Sequence, residues 1–151
     1  MQQRILFVCT GNTCRSSMAE GLARKAAQEL GIQRWIFASA GTLALPGDKA
    51  ANQAIETLAE LGIELTQHRA TLLTKEMVLE ADLILTMTAS HRRQVLSIVP
   101  EAADKVQVLG QYAGIPGDVP DPFGGSVEEY RRCAGNLQAL IRKVLDRLKA
   151  G

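Results

Sequence analysis

Apolar runs of strand length alternate with helix-patterned segments along this chain, and that alternation restricts its fold more than any other feature. Ile5-Leu6-Phe7-Val8 is a continuous apolar run with strong β preference. Met18, Leu22, Ala26 and Leu30 then recur every four residues up to Gly31, which predicts a helix over residues 16–30 and its C-terminal stop. A second strand is expected over residues 35–40, closed by Gly41, and a second helix from Pro46-Gly47-Asp48 through Leu61, ending at Gly62. Residues 64–71 read as a surface loop or strand, and Thr74 with Met77 and Val78 as one or two helical turns. Leu83-Ile84-Leu85 marks a third strand within residues 82–87, followed by a helix over about residues 88–98 that Pro100 stops. Val106 and Val108 alternate in a fourth strand over residues 105–109. Residues 110–125 carry three prolines and read as the longest irregular stretch. Ser126 with Glu129 forms a capping box for a last helix, whose apolar stripe runs through Val127, Tyr130, Ala134, Leu137, Ile141, Val144 and Leu148. Four strands alternating with helices predict an α/β fold: a single three-layer α/β/α domain over residues 1–151 with a four-stranded parallel sheet. Ligands of such sheets bind beyond the carboxyl ends of the strands, near the switch in strand order.

The chain's 17 basic and 16 acidic residues leave a formal charge of +1, so bulk charge draws it to neither nucleic acid nor membrane. Met1-Gln2-Gln3-Arg4 precedes only a short apolar run, which matches no signal peptide or membrane span and suggests a cytoplasmic protein. The three cysteines, Cys9, Cys14 and Cys133, form neither a disulfide framework nor a four-ligand zinc set. Two of them lie in one short stretch, Cys9-Thr10-Gly11-Asn12-Thr13-Cys14-Arg15-Ser16, between the first strand and the first helix.

That stretch is suited to holding a phosphate against a sulfur nucleophile. A cysteine ending a strand and facing a helix N-terminus meets converging backbone N–H groups and a guanidinium, surroundings that suit a thiolate. The same donors cradle phosphate. Arg15 can grip two phosphoryl oxygens at once, Ser16 can donate to the Cys9 sulfur, and Asn12 can fix the turn through its side-chain amide. Taken alone, Cys-x5-Arg is a weak signal; a buried strand-end cysteine beside a solvated arginine would have the same spacing. The strand before it, the helix after it and Gly11-Asn12 within it favour function.

With Asp121-Pro122-Phe123 near the C-terminus and Ser39-Ala40-Gly41-Thr42 after the second strand, the stretch resembles the low-molecular-weight protein tyrosine phosphatase family across essentially the whole chain. The resemblance implies a cysteinyl-phosphate mechanism with no metal or other cofactor, in which Cys9 is the nucleophile, Arg15 the phosphate clamp and Asp121 the general acid. Thr10, Gly11, Asn12, Thr13, Cys14, Ser16 and Phe123 would contact substrate, and the partners would be phosphorylated proteins met by a monomer. Asp118 is the rival acid, disfavoured because it lacks the Asp-Pro-aromatic context. Ser17 departs from the family's usual proline, and a serine there can serve as a cap.

Thr13 and Phe123 bear on substrate. Family members acting on tyrosine usually carry a different residue at the first position and tyrosine at the second, whereas Thr13 resembles the bacterial protein-arginine phosphatase branch. A threonine hydroxyl on the rim suits a flat, polar guanidinium, and the Asp121 carboxylate matches its paired N–H donors. Phosphoarginine hydrolysis is therefore the expected activity, with phosphotyrosine hydrolysis as the alternative. An arsenate reductase would need relay cysteines that residues 15–132 lack, and a phosphate sensor would not need Cys9, Arg15 and Asp121 together. Cys14 either packs or traps oxidised Cys9 as a disulfide, and Cys133 is expected to be inert. His68, His91 and Arg92-Arg93 show no metal-ligand spacing and read as solvated or locally bonded groups. Ser39 and Thr42 are candidate supports for the loop.

Overall fold

The computed structural model describes residues 2–150. Four parallel strands, β1 (Gln3–Cys9), β2 (Trp35–Gly41), β3 (Leu83–Thr86) and β4 (Val106–Val108), form one sheet in the order β2-β1-β3-β4. The first crossover therefore goes to one side of β1 and the next to the other. This places the switch in strand order between β1 and β3, whose carboxyl ends lie side by side at the Val8–Thr86 pair.

Strand periodicity divides the core. Ile5, Phe7 and Cys9 point to one face, with Leu83, Leu85 and Met87, and are covered there by α1 (Arg15–Glu29), α2 (Asn52–Glu60) and α6 (Val127–Ala150) through Met18, Leu22, Leu58, Leu137 and Ile141. Leu6, Val8 and Ile84 point to the other, where Val78 of α3 (Lys75–Glu80) and Val95 of α4 (Ala89–Ile98) cover them. A 3-10 turn, Pro100–Lys105, and the one-turn helix α5 (Leu109–Tyr112) complete the elements. The architecture is the expected three-layer parallel fold. No helix among the described residues is long and apolar enough to cross a membrane.

Three expectations need correction. The second helix begins at Asn52, not at Pro46-Gly47-Asp48. Gly47 has φ +90° in a turn closed by the Asp48 N–H on Leu45 O, its own N–H is held by Ala70 O, and the Ala51 N–H donates to Thr13 O; the segment is thus a turn followed by a non-helical strap against the first loop. Residues 110–125 are not wholly irregular, because α5 continues directly from β4 and is closed by Gly114 at φ +85°. Its four residues are too few for periodicity to register. Ser17 lies inside α1, and its hydroxyl donates to Cys14 O at 2.9 Å, so it bonds a carbonyl rather than capping an N–H.

Candidate active site

Strand β1 brings Cys9 to the carboxyl edge of the sheet, and the chain turns through Thr10–Cys14 before α1 starts at Arg15. The carbonyls around this turn are tied to its scaffold. Cys9 O, Thr10 O, Thr13 O and Cys14 O accept from the amides of Thr42, Leu43, Ala51 and Met18 at 2.9–3.0 Å, and Asn12 O accepts from His68 Nε2 at 2.7 Å. Each peptide is planar and trans, so the amides that follow those carbonyls turn the opposite way. Those of Thr10, Gly11, Thr13, Cys14 and Arg15 consequently face the inside of the loop, where together they form an anion cradle.

Asn12 holds the loop closed. It has φ +59°, a conformation that asparagine tolerates better than most residues. Its Nδ2 donates to Ser16 Oγ at 2.8 Å and Ser39 Oγ at 2.9 Å, while its Oδ1 accepts from Thr71 N at 2.9 Å. Ser39 Oγ passes its proton to Glu20 Oε1 at 2.6 Å. Ser16 Oγ lies 2.8 Å from Cys9 Sγ and already accepts from Asn12, which leaves its own proton for the sulfur. The Asn12 amide adds a second donor to that sulfur at 3.3 Å. Asn12 and Ser16 are fully buried, so their side chains lie beneath the cradle rather than on its surface. Gly41 permits the close approach of β2: a Cβ there would sit 2.4 Å from Thr10 O and 2.9 Å from Asn12 N.

Arg15 is 5% exposed; its Nη1 donates to Val119 O at 3.0 Å and its Nη2 stands 3.5 Å from Asp121 Oδ2. Asp121 Oδ1 accepts from Phe123 N at 3.0 Å, an Asx-turn that presents the carboxylate and leaves the Phe123 ring at the rim. Cys9, Thr10, Gly11, Thr13, Cys14, Arg15, Asp121 and Phe123 line one cleft of about 220 Å³. The fold thus brings the sequence's separated candidates to one place. A larger cavity of about 690 Å³ opens behind the loop, lined by Glu20, Ser39 and His68 among others, but it contains no cysteine.

Asp118 is committed elsewhere: its Oδ1 accepts from Ala89 N at 2.9 Å and so caps the start of α4. Cys14 Sγ lies 3.2 Å from Tyr130 Oη, and burial raises its thiol pKa despite that hydrogen bond. Burial pushes Cys133 up to about 12, so both are thiols at neutral pH. Ser39 supports the loop as expected, whereas Thr42 does so only through its amide; its hydroxyl has no partner among the described residues.

The histidines correct the sequence reading. His68 donates to Asn12 O, and His91, only 4% exposed, bridges Thr10 Oγ1 at 2.8 Å and Thr88 Oγ1 at 3.0 Å. Burial first, then the nearby Arg15 charge, lower the His91 pKa from 6.5 to about 4, so the ring is neutral near pH 7. Arg92 is local as expected, donating to Val106 O and Ala103 O. The available signal for His91 was positional: it follows the N-cap Thr88 by three residues, immediately beyond the third strand at the switch in strand order.

Comparison with known proteins agrees with this geometry. Residues 4–151 match the model of the low molecular weight phosphotyrosine protein phosphatase family. A protein-arginine-phosphatase of Bacillus subtilis is 43% identical over 146 residues, covering 96% of each chain. A cysteine-to-serine mutant of the arginine phosphatase YwlE, whose active-site serine is phosphorylated, superimposes with a TM-score of 0.93 at 42% identity, covering 97% of this chain and 96% of that one. A low molecular weight protein tyrosine phosphatase from T. tengcongensis gives 0.92 at 44% identity, over 97% and 99%. The chain belongs to the low molecular weight phosphotyrosine protein phosphatase family.

Proposed function

We propose that this chain, acting as one phosphatase domain, hydrolyses phosphoarginine in proteins, and that Cys9, Arg15 and Asp121 carry the reaction. Cys9 Sγ attacks phosphorus in line, forming the S–P bond as the P–N bond breaks. Asp121 protonates the departing guanidine nitrogen. The inward amides and Arg15 hold the three equatorial oxygens, whose charge they match best in the trigonal transition state. Water then attacks the cysteinyl phosphate, Asp121 takes its proton, and the freed Cys9 sulfur and inorganic phosphate complete the turnover. The phosphorylated active-site serine of the YwlE cysteine-to-serine mutant, in a chain 42% identical to this one, supports a cysteine as the phosphate acceptor here.

The observation that carries the substrate assignment is the rim of the cleft. Thr13, Asp121 and Phe123 line the same cleft as Cys9, and Phe123 is 75% exposed. A threonine and a carboxylate in the lining of one cleft suit a planar cation with paired N–H donors more than a phenyl ring. Relatives named for arginine and for tyrosine have nearly equal identity to this chain, so overall similarity does not choose between them.

The test compares turnover of phosphoarginine and phosphotyrosine peptides of matched sequence, on the parent and on Thr13→Ile. Preference for phosphoarginine is expected, and the substitution should shift the ratio of the two kcat/KM values towards phosphotyrosine by about tenfold or more. Faster parental turnover of phosphotyrosine would overturn the assignment.

A further inference from the structure

The contact between Thr10 and His91 crosses the switch in strand order, joining the first residue after Cys9 to the first turn of α4. Thr10 lines the cleft with Cys9, Arg15 and Asp121, whereas His91 is buried behind it. We propose that His91 is a positioning residue that fixes the Thr10 hydroxyl as a hydrogen-bond donor into the phosphoryl site. The inference rests on the phosphatase reading for the presence of a phosphoryl group, but not on whether that group comes from arginine or tyrosine.

Counting donors and acceptors gives the direction of the chain. Thr88 Oγ1 accepts from the His91 backbone N–H at 3.1 Å, as a helix N-cap should. Its own proton needs an acceptor, and the other partner of that oxygen is His91 Nδ1 at 3.0 Å. Thr88 therefore donates to Nδ1, and a neutral imidazole carries its proton on Nε2. Nε2–H donates to Thr10 Oγ1 at 2.8 Å and occupies one of its lone pairs. The Thr10 hydroxyl proton is thereby turned away from the histidine. Because Thr10 lines the cleft, a proton turned away from the histidine is available to phosphoryl oxygens held there. The reverse tautomer would draw the Thr10 proton back towards the ring and leave the Thr88 proton without this acceptor.

The charges around the ring keep it neutral. Burial opposes any charge, Arg15 opposes a second positive charge beside the cradle, and Asp118 and Asp121 pull more weakly the other way. A protonated ring would carry a hydrogen on Nδ1, compete with the Thr88 proton and repel Arg15. Neutrality is what makes one nitrogen an acceptor, and the chain of donors depends on it.

The sequence contains two histidines, so ring ¹⁵N spectra of the whole protein with labelled histidine resolve both, and His91→Gln assigns them. At pH 7 the His91 signals should show Nε2 protonated and Nδ1 unprotonated, with or without inorganic phosphate. The opposite tautomer or a charged ring would overturn the proposal. Kinetics supply the second arm, using p-nitrophenyl phosphate, which depends on neither peptide class. Thr10→Val and His91→Phe should each lower kcat by about ten- to a hundredfold, the scale of one lost hydrogen bond to a charged group. Their combination should be little worse than Thr10→Val alone, and His91→Gln should recover part of the loss because its amide can still donate. Multiplying effects in the double variant, or an unchanged kcat in His91→Phe, would mean that His91 does not act through Thr10. The spectra decide the question even if His91→Phe fails to fold.

Discussion

The two halves of the cleft are built differently. On the cradle side, the carbonyls of Cys9, Thr10, Asn12, Thr13 and Cys14, the Asn12 side chain and the Cys9 sulfur are bonded inside the protein, and the supporting groups Asn12, Arg15 and Ser16 are at most 5% exposed. On the other side, the Asp121 side chain is 48% exposed and is held by the Phe123 amide and a 3.5 Å approach to Arg15. The difference fits the roles proposed for each half. A cradle must present several dipoles without reorganising as charge develops, which requires a rigid, dry surround. An acid must reach the leaving group, give up a proton and then take one from water, which a solvated loop carboxylate can do.

Substitutions can break this contrast. Asp121→Asn should lower kcat for phosphoarginine peptides by about a hundred- to ten-thousandfold while stability stays within about 0.5 kcal/mol of the parent. Denaturant unfolding alongside steady-state kinetics checks both halves of that statement, and a strongly destabilised variant would show that the acid loop is structural after all.

Gly41→Ala addresses the other half without touching a reacting group. Its Cβ would meet backbone atoms of Thr10 and Asn12, neither of which can rotate aside. The cradle should shift, at a cost of about 1–3 kcal/mol in stability together with a loss of turnover. A variant with parental melting and parental kcat would mean that β2 does not brace the loop.

The smallest expected effect is on acidification. Because folding holds the His91 pKa near 4 against 6.5, its contribution is intact above pH 6.5 and is lost as pH falls towards 4. The loss should be on the order of 1–3 kcal/mol at the lower end. Urea unfolding at several pH values, compared with His91→Asn, isolates it from the carboxylates. Equal slopes in the two proteins would remove His91 as the source and weaken the picture of a dry cradle.

Much of this was legible from residues alone. The apolar runs at Leu6 and Ile84 gave strands because a parallel sheet covered on both faces needs continuous hydrophobicity. Arg15 and Cys9 were recognisable because their spacing falls between a strand and a helix and encloses Gly11-Asn12, a context that the spacing alone lacks. The strap leading to Ala51 was not legible: its non-helical form depends on the Thr13 carbonyl it meets, 38 positions earlier in the chain.

Sequence by itself supplied the groups for the proposed chemistry: a cysteine, an arginine and an aspartate whose identities limit what they can do. Local motif and residue type suffice for that, because nucleophilicity, positive charge and acidity are properties of the side chains, whereas the choice of Asp121 over Asp118 came from its Asp-Pro-aromatic context. Tertiary structure decided how those groups are supported. It spent Asp118 on capping α4, placed His68 beneath Asn12 and set His91 behind Thr10, each through a hydrogen bond between residues at least 29 positions apart. Hydrogen bonds of that range leave no periodicity in a sequence, and a buried histidine looks the same there as a solvated one.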